Sequence, residues 1–382
     1  MIRIASFNVE NLFQRAKAMN GDTFEEGRPI LGAYKEVNEL FMEPVYTPAI
    51  KARIIELLIQ LDIYFVNGQG ATRRRLTKAP KWAWMRKNRG DFDREPQDTA
   101  QDVVITATGR DSWIGWVELE KEPVDEIATR MTAKVVQEIN ADIIGVVEAE
   151  DRPSMVRFNK ALLAEMYAHV MLVDGNDDRG IDVAIMTKEG FDFNSIRSNV
   201  DRIDDNREHI FDRDCPQYEI KTPSGATIHV LLNHFKSQSG GGGPKRRIQS
   251  SAVREIVSGL IAEGKHCVVM GDLNEGLAPG AAFAENLEPL FTLTGLVDCY
   301  SIAGFDFGGR EGTFDSCGLR NRLDYILISE SLRPNFSGGH IFRKGLWGSR
   351  TTRPTAWDTY PQITKSSEQA SDHSAVVIDL DI

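Results

Sequence analysis

"CVVMGDLNE", residues 267–275, is an apolar run that stops on Gly-Asp-Leu-Asn. Its β-branched residues, bounded by glycine, read as a buried strand. In an extended chain residues i and i+2 point to the same side, so Asp272 and Asn274 are expected to face one small volume together. The ending reads two ways. Asp and Asn close turns well, which makes an Asx turn the plain interpretation. The other reading is a strand that delivers a carboxylate and a carboxamide to a common site.

The same question put to the other strand-like runs decides between them. "IRIASFNVE" (2–10) ends on Asn8 and Glu10, in phase with Ile2, Ile4 and Ser6, and "ADIIGVVE" (141–148) ends on Glu148. "ATIHVLLNHF" (226–235) puts His234 in phase with Ile228, Val230 and Leu232. Two late strands begin on polar groups instead: Asp324 in "RLDYILIS", and Asp372 and His373 in "SDHSAVVIDL". Where strands run antiparallel, the start of one lies beside the end of its neighbour, so all these groups are expected at one rim. Singly, each has an ordinary explanation as a turn residue, a helix-capping acid or a satisfied core histidine. Six strands presenting Asn, Asp, Glu or His at the matching end is a pattern that those explanations do not produce.

Further strands are expected at "IDVAIMTK" (181–188), with helices over 126–139 and 248–261, where apolar residues recur every four positions. Interleaved strands and helices make the chain α/β. The whole chain, 1–382, reads as one domain carrying an elaboration at about 14–125. That stretch is rich in turn formers and charge, with one clear helix near 48–61.

Hydrophobic content of 41% and charged content of 26% are those of a soluble globular protein. No apolar run reaches the ~20 residues that span a bilayer. The N-terminus lacks the pattern of a signal peptide, and the four cysteines have no CxxC spacing. A reducing cytoplasm is the expected location. The net charge of −11 argues against a protein that coats nucleic acid without specificity. Against this acidic background, "ATRRRLTKAPKWAWMRKNRG" (71–90) holds eight basic residues and no acidic one. It reads either as an arm tracking a nucleic-acid backbone, with Trp82 and Trp84 stacking on bases, or as a surface segment whose tryptophans pack on the body.

Hard oxygen ligands with two histidines suit Mg²⁺ or Mn²⁺ rather than zinc. A carboxylate that takes a proton from water, and a histidine oriented by an acid, complete the equipment for phosphoester hydrolysis.

In order along the chain, "SFNVENL", "VVEAED", "RGIDVAIM", "LLNHFKS", "VVMGDLNE", "RLDYILIS" and "SDHSAVV" resemble the motifs of the endonuclease/exonuclease/phosphatase superfamily, the deoxyribonuclease I-like group. The resemblance implies a four-layer α/β sandwich, with two mixed β-sheets face to face and helices outside. It implies Asn8 and Glu148 at the metal, with Glu148 the principal ligand and Asp372 at or just behind it. Asp272 would position or deprotonate the attacking water, and Asn274 would hold the phosphate or water. His373, oriented by Asp324, would stabilise the transition state, with His234 as the second histidine. Arg179 resembles the phosphate-contacting arginine, and Lys236 is a candidate helper. Relatives that cleave abasic sites carry a Tyr and an Asn-Pro motif where this chain has His234, which argues against that activity.

The leading expectation is a metal-dependent phosphodiester hydrolase that cuts DNA or RNA. The alternative is a phosphatase or phosphodiesterase for a small-molecule or lipid phosphate, of sphingomyelinase or inositol-phosphatase type. A binding module without turnover is disfavoured, because every motif position holds a chemically competent residue.

Overall fold

The computed structural model describes residues 1–10, 12, 14–19, 24–76, 80–123, 125–177, 179–238, 241–348 and 357–382. It divides into two compact units, Met1–Phe13 with Val124–Ile382, and Gln14–Pro123.

The first unit holds two mixed sheets. Seven strands run in the order His169–Leu172, Asp182–Thr187, Ile143–Ala149, Ile2–Asn8, Ala375–Leu380, Phe336–Phe342, Phe305–Asp306. Ile2–Asn8 is central, parallel to Ile143–Ala149 and antiparallel to Ala375–Leu380. The other sheet runs Asp192–Arg197, Gln217–Lys221, Thr227–His234, His266–Asp272, Asp324–Ser329, Leu296–Asp298. Its register sets His234 beside Asp272 in a parallel pair, and Asp272 beside Asp324 in an antiparallel one.

One core fills the space between the sheets, joining Ile4, Ile143, Val183 and Ile185 to Val230, Leu232, Met270 and Ile326. Gly145 lets the sheets close: a Cβ there would come within 2.6 Å of Leu232 Cδ1. Helix Glu126–Ile139 is capped by Asp125, which accepts from Ile127 N, and stopped by Asn140 in the left-handed conformation. It buries Met131, Val135 and Ile139 on the outer face of the first sheet, where Phe7, Ile144 and Val146 lie. Helix Gly243–Ala262 lays Ala252, Val253, Val257 and Leu260 on the other side, among residues of the second sheet. The result is the four-layer sandwich. This helix begins before the expected residue 248, because Pro244 is tolerated in a first turn.

The second unit has its own core around Trp113, whose indole N–H donates to Tyr46 OH (2.8 Å) and whose ring meets Phe41 edge-on. Besides helix Pro48–Gln60 it contains a second helix, Phe24–Phe41, in a stretch whose sequence is rich in turn formers and charge. Gly27, Pro29 and Gly32 hide the helical period there, yet Ile30, Ala33, Val37 and Phe41 bury one face of it. Burial of that stripe outweighs the propensity cost.

The basic stretch 71–90 belongs to this unit, and five of its eight basic side chains pair with acids there. Arg73 pairs with Glu95 (2.6 Å), Arg75 with Asp62 (2.7 Å), Arg74 with Asp93, Arg86 with Glu118 and Lys87 with Asp91. Trp82 packs against the unit's core and the Trp84 indole donates to Glu120. Lys78 lies outside the described residues. The stretch is folded within this unit, and apart from Asp91 the acids paired with it lie 13 or more residues away in sequence.

Candidate active site

The strand ends converge within the first unit. Asn8 closes its strand, and its side-chain amide donates to Glu148 Oε1 and to Asp272 Oδ2, both at 3.2 Å. Glu148 sits at a register shift between Val147 and Ala149 with φ 66°, so a bulge re-aims its carboxylate. His234 Nε2 lies 3.8 Å from Glu148 Oε1 and 3.8 Å from Asp272 Oδ2. His373 Nε2 is 3.9 Å from the same Asp272 oxygen, and its Nδ1 is 2.7 Å from Asp324 Oδ2. Ligand atoms of Asp272, Asp324 and His373, all buried, lie within 4.8 Å of one another.

The turn after His266–Asp272 closes as an Asx turn, and of its two polar side chains only Asp272 faces the polar groups of the other strand ends. Asn274 N donates to Asp272 Oδ1 (2.8 Å) from φ 55°, which is an Asx turn. The other oxygen, Asp272 Oδ2, is the one that faces Asn8 and the histidines. Gly271 makes the approach: at φ 133° a Cβ would stand 1.9 Å from Asn233 O. Asn274 itself donates its amide to Phe235 O (3.1 Å) and so anchors the neighbouring strand end.

Asn8 presents its NH₂ to the acids while its Oδ1 accepts from Glu10 N (3.1 Å). Two converging carboxylates attract a donor between them, so Asn8 ties the acids together in this orientation. Glu10 in turn accepts from Asp372 N (3.0 Å), and Ser371 Oγ donates to Asn8 O (2.7 Å). These bonds weld the His373 segment to the first strand. Asp372 is partly exposed, with Oδ1 4.0 Å from His373 Nε2.

The two histidines sit in opposite fields. Burial works against a charge on His373, but the charge and hydrogen bond of Asp324, then Asp272 and Asp372, more than offset it and hold the imidazolium well above the usual range. Burial, then Arg213 and Arg179, pushes His234 well below it. Burial raises Asp272, opposed by His373 and reinforced by Asp324.

Arg179 is chelated by Asp177, with Nε 2.9 Å from Oδ1 and Nη2 2.6 Å from Oδ2. Lys236 pairs with Asp212 (2.9 Å). Sequence reading missed Arg213 and Asp177. Arg213, in "FDRDC" between two acids, has the appearance of a solvated surface residue, yet it is 1% exposed and donates to His234 Nδ1. Phe314 was also missed; its ring centroid is 4.9 Å from that of His373.

The sequence profile of the endonuclease/exonuclease/phosphatase family matches residues 88–333. The chain belongs to that family. Endonuclease/exonuclease/phosphatase enzymes are divalent-metal-dependent phosphoesterases, and this protein is one of them. The matched span covers Glu148, His234, Asp272 and Asp324, whereas Asn8 and His373 lie beyond it and join the site through the sheet register. Among solved structures, a family protein from Bacteroides thetaiotaomicron is 18% identical, covering 66% of this chain and 89% of its own, with a TM-score of 0.49. A mannosyl-6-phosphatase from the same organism is 16% identical (67% and 92% covered, TM-score 0.49). Truncated Caenorhabditis elegans TDP2 is 19% identical (67% and 91% covered, TM-score 0.46). No curated protein sequence matches the chain significantly. Among the described residues no helix is long and apolar enough to cross a membrane.

Proposed function

We propose that the protein hydrolyses phosphodiesters, with nucleic acid as the substrate class, by attack of water on phosphorus at the Asp272 rim. The observation that carries this reading is the buried Asp324–His373 pair set 3.9 Å from Asp272. The donor set fits a hard cation such as Mg²⁺ or Mn²⁺: Glu148 Oε1 and Asp272 Oδ2 converge on one Asn8 amide, and the nearby nitrogens are imidazoles. Glu148 would hold the ion together with Asn8, its side-chain oxygen turned inward, and with Asp372 at or behind it, which leaves Asp272 to the attacking water. When bound, the ion supplies Lewis-acid polarisation of the phosphoryl group.

The remaining work falls to the chain itself. Asp272, fixed by the Asx turn on one oxygen, directs the other towards the attacking water. His373, held cationic by Asp324, donates from Nε2 to the phosphoryl oxygens as charge grows on them. His234 offers a second donor. Asn274, its amide on Phe235 O and its backbone N–H on Asp272, steadies that carboxylate in place of holding phosphate or water itself, and Arg179 and Lys236 supply positive charge on the His234 side.

A second reading, a small or lipid phosphoester substrate, is favoured by one observation: Arg73, Arg74 and Arg75 are each paired with an acid inside their own unit. Product analysis after incubation with Mg²⁺ or Mn²⁺ and plasmid, linear DNA, RNA, lipid phosphodiesters and a phosphomonoester panel separates the two. Cleavage confined to monoesters sinks the phosphodiester reading, and cleavage of nothing sinks both.

A further inference from the structure

Arg213 places a permanent positive charge in the interior of the first unit. Its Nε donates to His234 Nδ1 at 3.1 Å and its Nη2 to Phe235 O at 3.3 Å. Its Nη1 faces Asp177 Oδ2 at 3.4 Å, the oxygen that also takes Arg179 Nη2 at 2.6 Å. Asp212 Oδ2 stands 3.8 Å from Arg213 Nη1 and 2.9 Å from Lys236 Nζ. One guanidinium therefore connects the second histidine to both cations on its side of the site.

A guanidinium has only donors, so the imidazole nitrogen it meets must accept. An imidazole with Nδ1 as acceptor carries its hydrogen on Nε2. That hydrogen faces the Glu148 and Asp272 oxygens. His373 is arranged the other way, since its Nδ1 meets a carboxylate and must donate to it. Two histidines flank one pair of acids, one backed by a cation and one by an anion.

We propose that Arg213 is a positioning residue: it fixes His234 as the Nε2–H tautomer, a donor aimed into the site, and couples that orientation through Asp177 to Arg179. The proposal rests on the phosphoester reading of the site. A purely structural Arg213 would satisfy Phe235 O and Asp177 with no effect on His234 beyond packing.

The test is nitrogen NMR of the full chain labelled at histidine, run beside kinetics on a small activated phosphodiester. The wild type is expected to show His234 protonated at Nε2 with Nδ1 as acceptor. Arg213→Met, which keeps length and removes every donor, is expected to give a mixed tautomer. Its kcat should fall about 10- to 100-fold, the range for loss of a residue that orients a site histidine, with KM within about threefold. Arg213→Gln, whose amide can still donate to Nδ1, should restore the tautomer and most of kcat. His234 found as Nδ1–H in the wild type overturns the proposal, as does a folded Arg213→Met protein that keeps both tautomer and kcat. If Arg213→Met does not fold, the Gln variant decides: loss of the tautomer with unchanged kcat overturns the proposal. The spectrum needs no substrate, so a wild type that cleaves no phosphoester defeats the functional reading while the tautomer is still read.

Discussion

Asp324 Oδ2 and His373 Nδ1 are 2.7 Å apart, joined across the gap between a strand of one sheet and the lead-in to a strand of the other. A hydrogen bond between buried partners fixes the ring and stabilises its cationic form. The two therefore act as a unit. His373→Ala should lower turnover about 10²–10⁴-fold, the range for losing an electrostatic stabiliser or acid–base group. Asp324→Ala should cost nearly as much, and the double variant little more. Steady-state kinetics on the three proteins checks this; multiplicative losses would mean the residues work separately.

Metal removal addresses the acids. Hydrolysis should stop in excess EDTA and return with Mg²⁺ or Mn²⁺. Glu148→Gln should raise the metal concentration needed for half-maximal rate while leaving the far-ultraviolet circular dichroism unchanged, because its carboxylate lies at the rim and not in the core. Undiminished activity in EDTA would remove the metal from the account.

The arginines of the second unit give a stability prediction. Arg73→Ala breaks a pair in which the arginine side chain is 12% exposed, and also frees the backbone oxygens of Pro96, Asp98 and Gln101. Replacing Arg73, Arg74 and Arg75 together by alanine should lower the thermal midpoint, with most of the loss from Arg73, since exposed pairs are worth only about 0–1 kcal/mol. The salt dependence of any nucleic-acid affinity should not change. A slope reduced by roughly two to three units would instead mean that these side chains contact phosphates.

Asp298 carries a pH prediction. Burial raises its pKa from 3.8 to about 6, opposed by Arg322 and by the backbone N–H of Tyr300. A carboxyl whose folded pKa is raised is held protonated more tightly by the folded chain than by the unfolded one. Its contribution to stability is thus full below 3.8 and is lost as pH rises through about 6. Asp298→Asn, which keeps the acceptor for Tyr300 N, should lose less stability than the wild type across that window. Denaturant unfolding at several pH values reads the difference, and identical slopes would refute it.

Much of the site was legible in the chain because strand geometry is local. Period-two alternation puts Asn8, His234 and Asp272 at strand ends and on inward faces without knowledge of any partner, and apolar runs bounded by polar groups mark the strands themselves. Even the double role of "GDLN" follows from local rules, since an Asx turn and a site carboxylate use different oxygens of Asp272. Helix Phe24–Phe41 escaped because glycine and proline dominate a local reading, while the apolar stripe that stabilises it counts only once there is a core to bury it in.

What the chain determined by itself was seven of the strands, the polar residues at the ends of six of them and the chemistry those residues share; His169–Leu172, Asp192–Arg197, Gln217–Lys221, Leu296–Asp298, Phe305–Asp306 and Phe336–Phe342 came only with the fold. What only the tertiary structure decided was how the cations pair: Arg213 with His234, Asp177 with two arginines, and Arg73, Arg74 and Arg75 with Glu95, Asp93 and Asp62. The physical reason is that a charge's role depends on what neutralises it. Local sequence can say where a side chain points, but its field comes from residues brought near by packing. Arg213 beside two aspartates looks solvated in sequence and is buried in the fold, and Arg73 looks free in sequence and is held in an ion pair.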